Sequence, residues 1–521
     1  MRLRIGARSK NVQMAAATHS EEEVVPSRRW LVLLIVQIVT LLFGMAITAS
    51  TIVLPHIRGA LSINHDQAAW TVTLFLVGAA VGTPITGWLA GKLGWRRLMV
   101  TTLIGFTLSS IACGLAGNLG VLLVARTLQG LFGAPLTPLG QGMLLATFPK
   151  RMHALVLMLW GVGGVMGPVL GPILGGVVGE ALGWRWTFLF LAPVGFLATL
   201  LALVALGDQQ KGSSGKLGLM GFISLATAMG ALQLMLDRGH RLDWFESFEI
   251  TTELILALFA AGLFILHTAW SKNPFMQKEL FSNWNFMFGL LVMLVMGALS
   301  YTPIALFPTL LQDLREYPDA TVGFILSSRG LGNFGSFLIV VQFTKYHPRL
   351  ALTVGILLQV WAGWAMSRLN INMTEWDIIW TNFVQGFGFG LAYTPMTVLA
   401  FATLPNKLVV QGASMFNLMR NFGSSLFISI SILVLLRTTA ANYAGLSQLV
   451  SPLNEKITNS PISGTWGLES LESLTRLTTE IEHQALIGGY LNAFDLFTWV
   501  ALASVPLAWV FKSKSTGTLK T

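Results

Sequence analysis

Fourteen stretches of this chain carry no charge, or almost none, over the length needed to cross a bilayer. They run at about 30–55, 67–91, 98–116, 120–147, 154–179, 186–207, 217–236, 250–270, 284–311, 321–344, 350–367, 378–402, 410–436 and 487–511. A hydrocarbon core is crossed by roughly 20 apolar residues in helical form. Lipid offers no partner to a backbone N–H or C=O, so each stretch must close its own hydrogen bonds as an α-helix. The expected fold class is therefore an all-α polytopic membrane protein. Charged residues make up 11% of the chain, against roughly 25% in a soluble protein. An even number of spans leaves both termini on one side. Most of the 33 Lys and Arg fall on that side, and most of the 23 acids fall on the other. The bias makes the termini side cytoplasmic, which predicts a multi-pass membrane protein. The net charge of +10 is then a topology signal, not a nucleic-acid patch. Residues 1–29 are polar and lack an apolar core segment, so they read as a cytoplasmic tail rather than a signal peptide. One cysteine, Cys113, allows no disulfide within a monomer.

Inside the fifth stretch lies GVGGVMGPVLGPILGG, residues 161–176. Glycine lets a neighbouring backbone approach closely. Pro168 and Pro172 each remove an N–H donor and push a helix to bend. Such a helix has to be buried against neighbours that satisfy its freed carbonyls. The chain also repeats itself weakly. Span 4 reads LQGLFGAPLTP and ends in ATFPK, and span 12 reads VQGFGFGLAYTP and ends in ATLPNK. Gln129-Gly130 pairs with Gln385-Gly386, and Pro149 pairs with Pro405. Equivalent spans 4 and 12 leave spans 7 and 8 as an insertion between two six-helix bundles.

Gly167, Gly171-Pro172 and Gly175-Gly176 resemble the fifth-helix motif (GxxxGPxxGG) of major facilitator antiporters. Arg126, Gln129-Gly130 and Gly133-Ala134-Pro135 resemble the facilitator RxxQGxGxA motif. GWLAGKLGWRR (87–97) is similar to the facilitator loop motif through Gly87, Leu89, Ala90, Gly94 and Arg97, with Gly91 at its usual Asp. MAITASTIVLP (45–55) resembles the first helix of the fourteen-helix drug:proton antiporters, but Ala46 stands where that family has an aspartate. Leu236-Asp237-Arg238-Gly239 and Leu242-Asp243-Trp244-Phe245 closely resemble a loop of the EmrB-type pumps. WRWTFLFLAPVG (184–195) looks like that family's sixth helix, and Asn417 with Arg420 like its thirteenth.

The resemblance implies a major facilitator fold of two six-helix bundles plus two inserted helices. The domains are then a tail at 1–29, a first bundle at 30–207 and the insertion with its linkers at 208–280. A second bundle follows at 281–511, with a long periplasmic loop at 437–486, and a tail at 512–521. Within that loop, 466–484 alternates apolar and charged residues with a helical period.

The resemblance further implies proton-coupled export of amphipathic toxic compounds across the inner membrane. A periplasmic adaptor protein and an outer-membrane channel would be partners, with protons and membrane lipid. The substrate path is expected at Arg126, Gln129, Trp160, Arg329, Asn382, Gln385, Tyr393, Asn417 and Arg420. The gating loop is expected at Gly87, Gly94, Arg96 and Arg97, the last two binding helix C-terminal carbonyls or anionic lipid. With the helix 1 aspartate missing, Asp66, Asp377 and His56 are the proton candidates. Asp495, inside span 14, is read as a supporting residue. No P-loop, no HExxH and no His/Cys cluster occurs, so no cofactor, metal or enzymatic activity is expected. Two further readings stay open: transport of one anionic metabolite, such as a fatty acid or siderophore, which three deep arginines favour, and a non-transporting sensor on the same fold.

Overall fold

The structure, a computed structural model, describes residues 26–63, 65–207, 217–239, 242–405, 408–450 and 470–511. The tails and the centre of the loop at 437–486 lie outside the described residues. Fourteen helices follow the apolar stretches, and twelve of them are long and apolar enough, among the described residues, to cross a membrane. The first six are α1 (Pro26–Ile52), α2 (His65–Leu93), α3 (Trp95–Gly114), α4 (Leu119–Thr147), α5 (His153–Leu182) and α6 (Trp186–Ala205). Then come α7 (Leu219–Arg238), α8 (Phe248–Trp270), α9 (Trp284–Arg315) and α10 (Asp319–Tyr346). The last four are α11 (Pro348–Met366), α12 (Glu375–Phe401), α13 (Val409–Leu449) and α14 (Leu471–Ser504).

Local chemistry sets the ends. Asn118 caps α4 by accepting from the Val121 N–H at 3.0 Å, and Asn283 caps α9 through the Phe286 N–H at 3.1 Å. Gly94 (φ +82°) and Gly183 (φ +92°) make the turns after α2 and α5, where any side chain would be strained. Large apolar residues such as Phe248, Val204 and Leu338 point outward, as a lipid-facing surface requires.

The helices form two bundles of one plan. In the first, α4 packs against α2 and α3, and α5 against α1. In the second, α12 packs against α10 and α11, and α13 against α9. The sequence repeat sits in this symmetry. A Cβ on Gly130 would lie 2.0 Å from the Phe75 carbonyl of α2, and one on Gly386 2.0 Å from the Arg329 carbonyl of α10. Both glycines let a fourth helix touch a second helix backbone to backbone.

The inserted pair α7–α8 packs as a hairpin, and α7 wedges between α2 and α13. Its end supplies a bond to each bundle. Asp237 accepts from the Thr73 hydroxyl of α2, and the Leu236 carbonyl accepts from the Ser429 hydroxyl of α13. Gln233 exchanges two bonds with Ser425 of α13, at 2.9 and 3.0 Å. Arg238 turns back to Glu249 (2.5 Å) and Glu253 (3.4 Å) of α8. The Leu236-Asp237-Arg238 motif is thus where the insertion is fastened.

The stretch 437–486 differs from a long loop. α13 continues to Leu449, and α14 starts at Leu471 with its cap on Ser470. At 1.5 Å per residue, the 41 residues of α13 reach about 60 Å, roughly twice a bilayer core. From Leu471 on, the period read at 466–484 therefore belongs to α14, which runs beside the long α13.

Candidate functional site

Pro172 has no N–H, so the Pro168 carbonyl one turn earlier loses its helical donor. Thr48 of α1 supplies the replacement, its hydroxyl reaching the Pro168 carbonyl at 3.2 Å. The glycines of α5 make this approach possible. Gly163, Gly167, Gly171 and Gly175, spaced by four, face α1, and Gly179 faces Val53 just after it; added Cβ atoms would lie 2.2–2.9 Å from these neighbours. Gly176 has ordinary room, 3.6 Å from Ile52. The side chain of Pro172 lies outside what the structure describes. This stripe holds α5 against α1 and turns its other face toward the second bundle.

That other face lines a central cavity. Trp160, Gly161, Gly164 and Pro168 of α5 meet Ser300, Tyr301 and Ile304 of α9 and Arg329 of α10. Phe389 and Tyr393 of α12 and Arg420 of α13 complete it. The cavity holds about 40 Å³, room for only a few waters, so a drug-sized cargo requires the bundles to part. Trp160 is fixed by its indole N–H, which donates to Thr40 of α1 at 2.9 Å. Its ring lies 6.1 Å from that of Tyr393, across the line between the bundles. Arg329 donates to Ser300 at 3.1 Å, and its carbon lies 5.9 Å from the Phe389 ring centre.

Four of the expected path residues come together here: Trp160, Arg329, Tyr393 and Arg420. Five others do not line the cavity. Arg126 is fully buried inside the first bundle. It donates to the carbonyls of Thr71 (2.9 Å) and Ala46 (3.2 Å), to Gln129 Oε1 (2.7 Å) and to Ser50 Oγ (2.9 Å). Its guanidinium also lies 4.4 Å from the Phe75 ring centre. It ties α1, α2 and α4 together, and it reaches the position where the resembling family has its aspartate. Gln129 carries the tie to Ser110 of α3 at 2.8 Å. Its repeat mate Gln385 donates to the Leu299 carbonyl of α9 (2.9 Å) and to Gln359 of α11 (3.4 Å). Asn382 is spent on its own helix, donating to the Ile378 carbonyl at 3.0 Å. These three amides and Arg126 organise the bundle interiors.

Asn417 works between the bundles. Its amide donates at 2.8 Å to Gln141 of α4, near the end of the molecule that carries the termini. That end is closed. A Cβ on Gly87, at the end of α2, would lie 2.8 Å from Cα of Gln411 in α13. One on Gly142 would lie 2.8 Å from Val410. Beside them Leu155 and Met158 of α5 pack with Phe337, Val340 and Val341 of α10. Gly87 is therefore a contact point between bundles, and Gly94 forms the turn that follows. Arg96 donates to the Leu203 carbonyl at the C-terminus of α6 (2.7 Å), the favourable end for a cation. Arg97 is exposed.

The proton candidates are not gathered at the cavity. His56 is exposed on a short helix, Leu54–Leu61, after α1. The Asp66 side chain lies outside the described residues. Asp377 forms a cap at the start of α12. It accepts from the Thr374 N–H (2.9 Å) and hydroxyl (2.8 Å), completing a capping box. These bonds, from the Thr374 backbone first, hold its carboxyl below the usual range. The cap is thus fully present at neutral pH and is lost only in acid, as pH falls through that depressed value. Asp377→Asn is expected to keep proton-driven transport in reconstituted vesicles, at a cost of about 1 kcal/mol in unfolding experiments. Loss of coupling with normal stability would return it to the proton path. Asp495 lies in a surface recess of α11 and α14 with Trp361, Trp364, Arg368, Thr498 and Trp499. It is outside the cavity.

The sequence reading missed Ser300, Tyr301 and Phe389 at the cavity, and Gln141 and Gln411 at the closed end. The polar pair Ser300-Tyr301 in the middle of an apolar span was the available signal. Gln141 and Gln411 become visible only once the two bundles are docked.

A sequence model of the Major Facilitator Superfamily matches residues 36–428. The multidrug export protein EmrB of Escherichia coli (strain K12) is 29% identical over 472 residues, covering 89% of this chain and 92% of that protein. The probable multidrug resistance protein EmrY of the same strain is 30% identical, covering 92% and 94%. The fatty acid resistance protein FarB of Neisseria gonorrhoeae is 29% identical, covering 91% and 96%. Among solved structures, the human organic anion transporter MFSD10 (TETRAN) superposes with a TM-score of 0.61 at 14% identity, over 93% of this chain and all of that one. At that identity the likeness concerns the fold alone.

Proposed function

This chain belongs to the major facilitator superfamily, and from that premise we propose that it is a proton-coupled exporter of amphipathic compounds across the inner membrane. The observation that carries the reading is a cavity between the bundles, sealed on the termini side by cross-bundle contacts. Termini in the cytoplasm, as the Lys/Arg bias favours, make this the state in which the cytoplasmic entrance is shut. Alternating access then consists of opening Gly87–Gln411, Gly142–Val410 and Gln141–Asn417 while the opposite ends approach. Similarity along nearly the whole length to a protein named for multidrug export supports the direction of transport.

The cavity lining holds no acid among the described residues, so the coupling carboxylate acts from outside it. A periplasmic adaptor and an outer-membrane channel complete the proposed assembly. The projecting pair of α13 and α14 offers the adaptor a landing place beyond the lipid. In proteoliposomes with an imposed pH gradient, the protein should move an amphipathic dye, and movement should stop when the gradient is collapsed. Movement of no compound in either condition, with intact folded protein, would favour a sensor instead.

A further inference from the structure

We propose that the central cavity binds the head group of a single-chain amphipathic organic anion, gripped by Arg329 and Arg420. This deepens the export reading above and rests on it. The argument begins with unused donors. Arg329 is 3% exposed, donates one bond, to Ser300, and leaves Nη1 buried without a partner. Arg420 leaves Nε in the same condition, with the Tyr393 hydroxyl beside it. All three residues line the cavity, and none of its lining residues is acidic. Arg126 shows what this chain does with a structural arginine: all three of its guanidinium nitrogens are hydrogen-bonded.

A buried guanidinium at Arg329 and a part-buried one at Arg420, with no acid in the cavity lining among the described residues, are costly, more so at membrane depth. The cost falls when a carboxylate, sulfonate or phosphate enters. A guanidinium fork matches two oxygens at once, and such bonds are about twice as strong as neutral ones. A cationic cargo would meet two like charges. The rest of the lining suits an apolar body: Trp160, Tyr301 and Ile304 face Phe389 and Tyr393, whose rings lie 5.5 Å apart. The site therefore reads an anionic head against an aromatic wall.

The test is isothermal titration calorimetry on the purified full chain with three probes of one shape: 4-phenylbutyrate, 4-phenylbutanol and 4-phenylbutylamine. The acid should bind at least about tenfold more tightly than the amine. Arg329→Gln and Arg420→Gln should each remove about tenfold of that affinity. Tyr393→Phe, which removes the hydroxyl beside Arg420 and leaves the ring packing in place, should weaken the acid several-fold and the alcohol hardly at all. Equal binding of the three probes overturns the proposal. So does a preference for the acid that survives both arginine variants. Displacement of 4-phenylbutyrate by phosphatidylglycerol but not phosphatidylcholine would give the pocket to a lipid head group and overturn the free-anion assignment. Acid binding through these arginines in a protein that moves nothing in vesicles would sink the export reading and leave the anion site standing.

Discussion

Arg126→Ala is expected to abolish transport and to lower stability by about 3–5 kcal/mol, the scale for breaking a buried charged network. The effect is large because one side chain satisfies acceptors on three helices. Its loss strands the Thr71 and Ala46 carbonyls, Ser50 and Gln129 in a water-free interior. Arg126→Lys should rescue little. A single ammonium keeps the charge but cannot span acceptors on α1, α2 and α4 at once. The readout is thermal unfolding of the purified protein beside vesicle transport. A variant that unfolds like wild type yet fails to transport would mean that Arg126 acts on cargo rather than on the bundle.

The arginine illustrates what a sequence can and cannot give. Its depth was legible from its place in an apolar stretch, and so was the claim that it needs partners. Which partners was not, because Ala46, Ser50 and Thr71 are unremarkable until α1 and α2 are docked on α4. The same holds at α5. Its glycines and prolines foretold close packing and freed carbonyls. Their answer, Thr48, lies 120 residues earlier and carries no local signal. The fourteen helices followed directly from hydropathy, since lipid leaves the backbone no alternative. The extension of α13 and α14 past the membrane was hidden, because hydropathy ends where lipid ends and a helix need not. Polar residues in spans were harder still. Asn382 and Arg420 look alike as isolated polar positions. Only the structure assigns one to its own helix and the other to a cavity.

Gly87→Leu is expected to cut transport at least about tenfold while leaving the unfolding temperature nearly unchanged. Both effects come from one contact. Gly87 touches the Gln411 backbone only when the termini side is shut. Bulk there obstructs closure, and the neighbouring bundle can swing away rather than unfold. Gly142→Leu should act alike, since Val410 occupies the same seam. Neither glycine contributes to the cavity lining, so binding of a small probe should survive in both variants.

The central claim is that this seam must open and close in every cycle. It is tested most directly by tying it shut. In a chain with Cys113→Ser, the pair Gly142→Cys and Val410→Cys removes the Val410 methyl that crowds Gly142 and places two Cβ atoms 3.4 Å apart, at the short end of the disulfide range. Oxidation should stop transport in vesicles, and a reductant should restore it, with each single-cysteine control unaffected by oxidant. Full transport by protein shown to be cross-linked at this position would contradict the account.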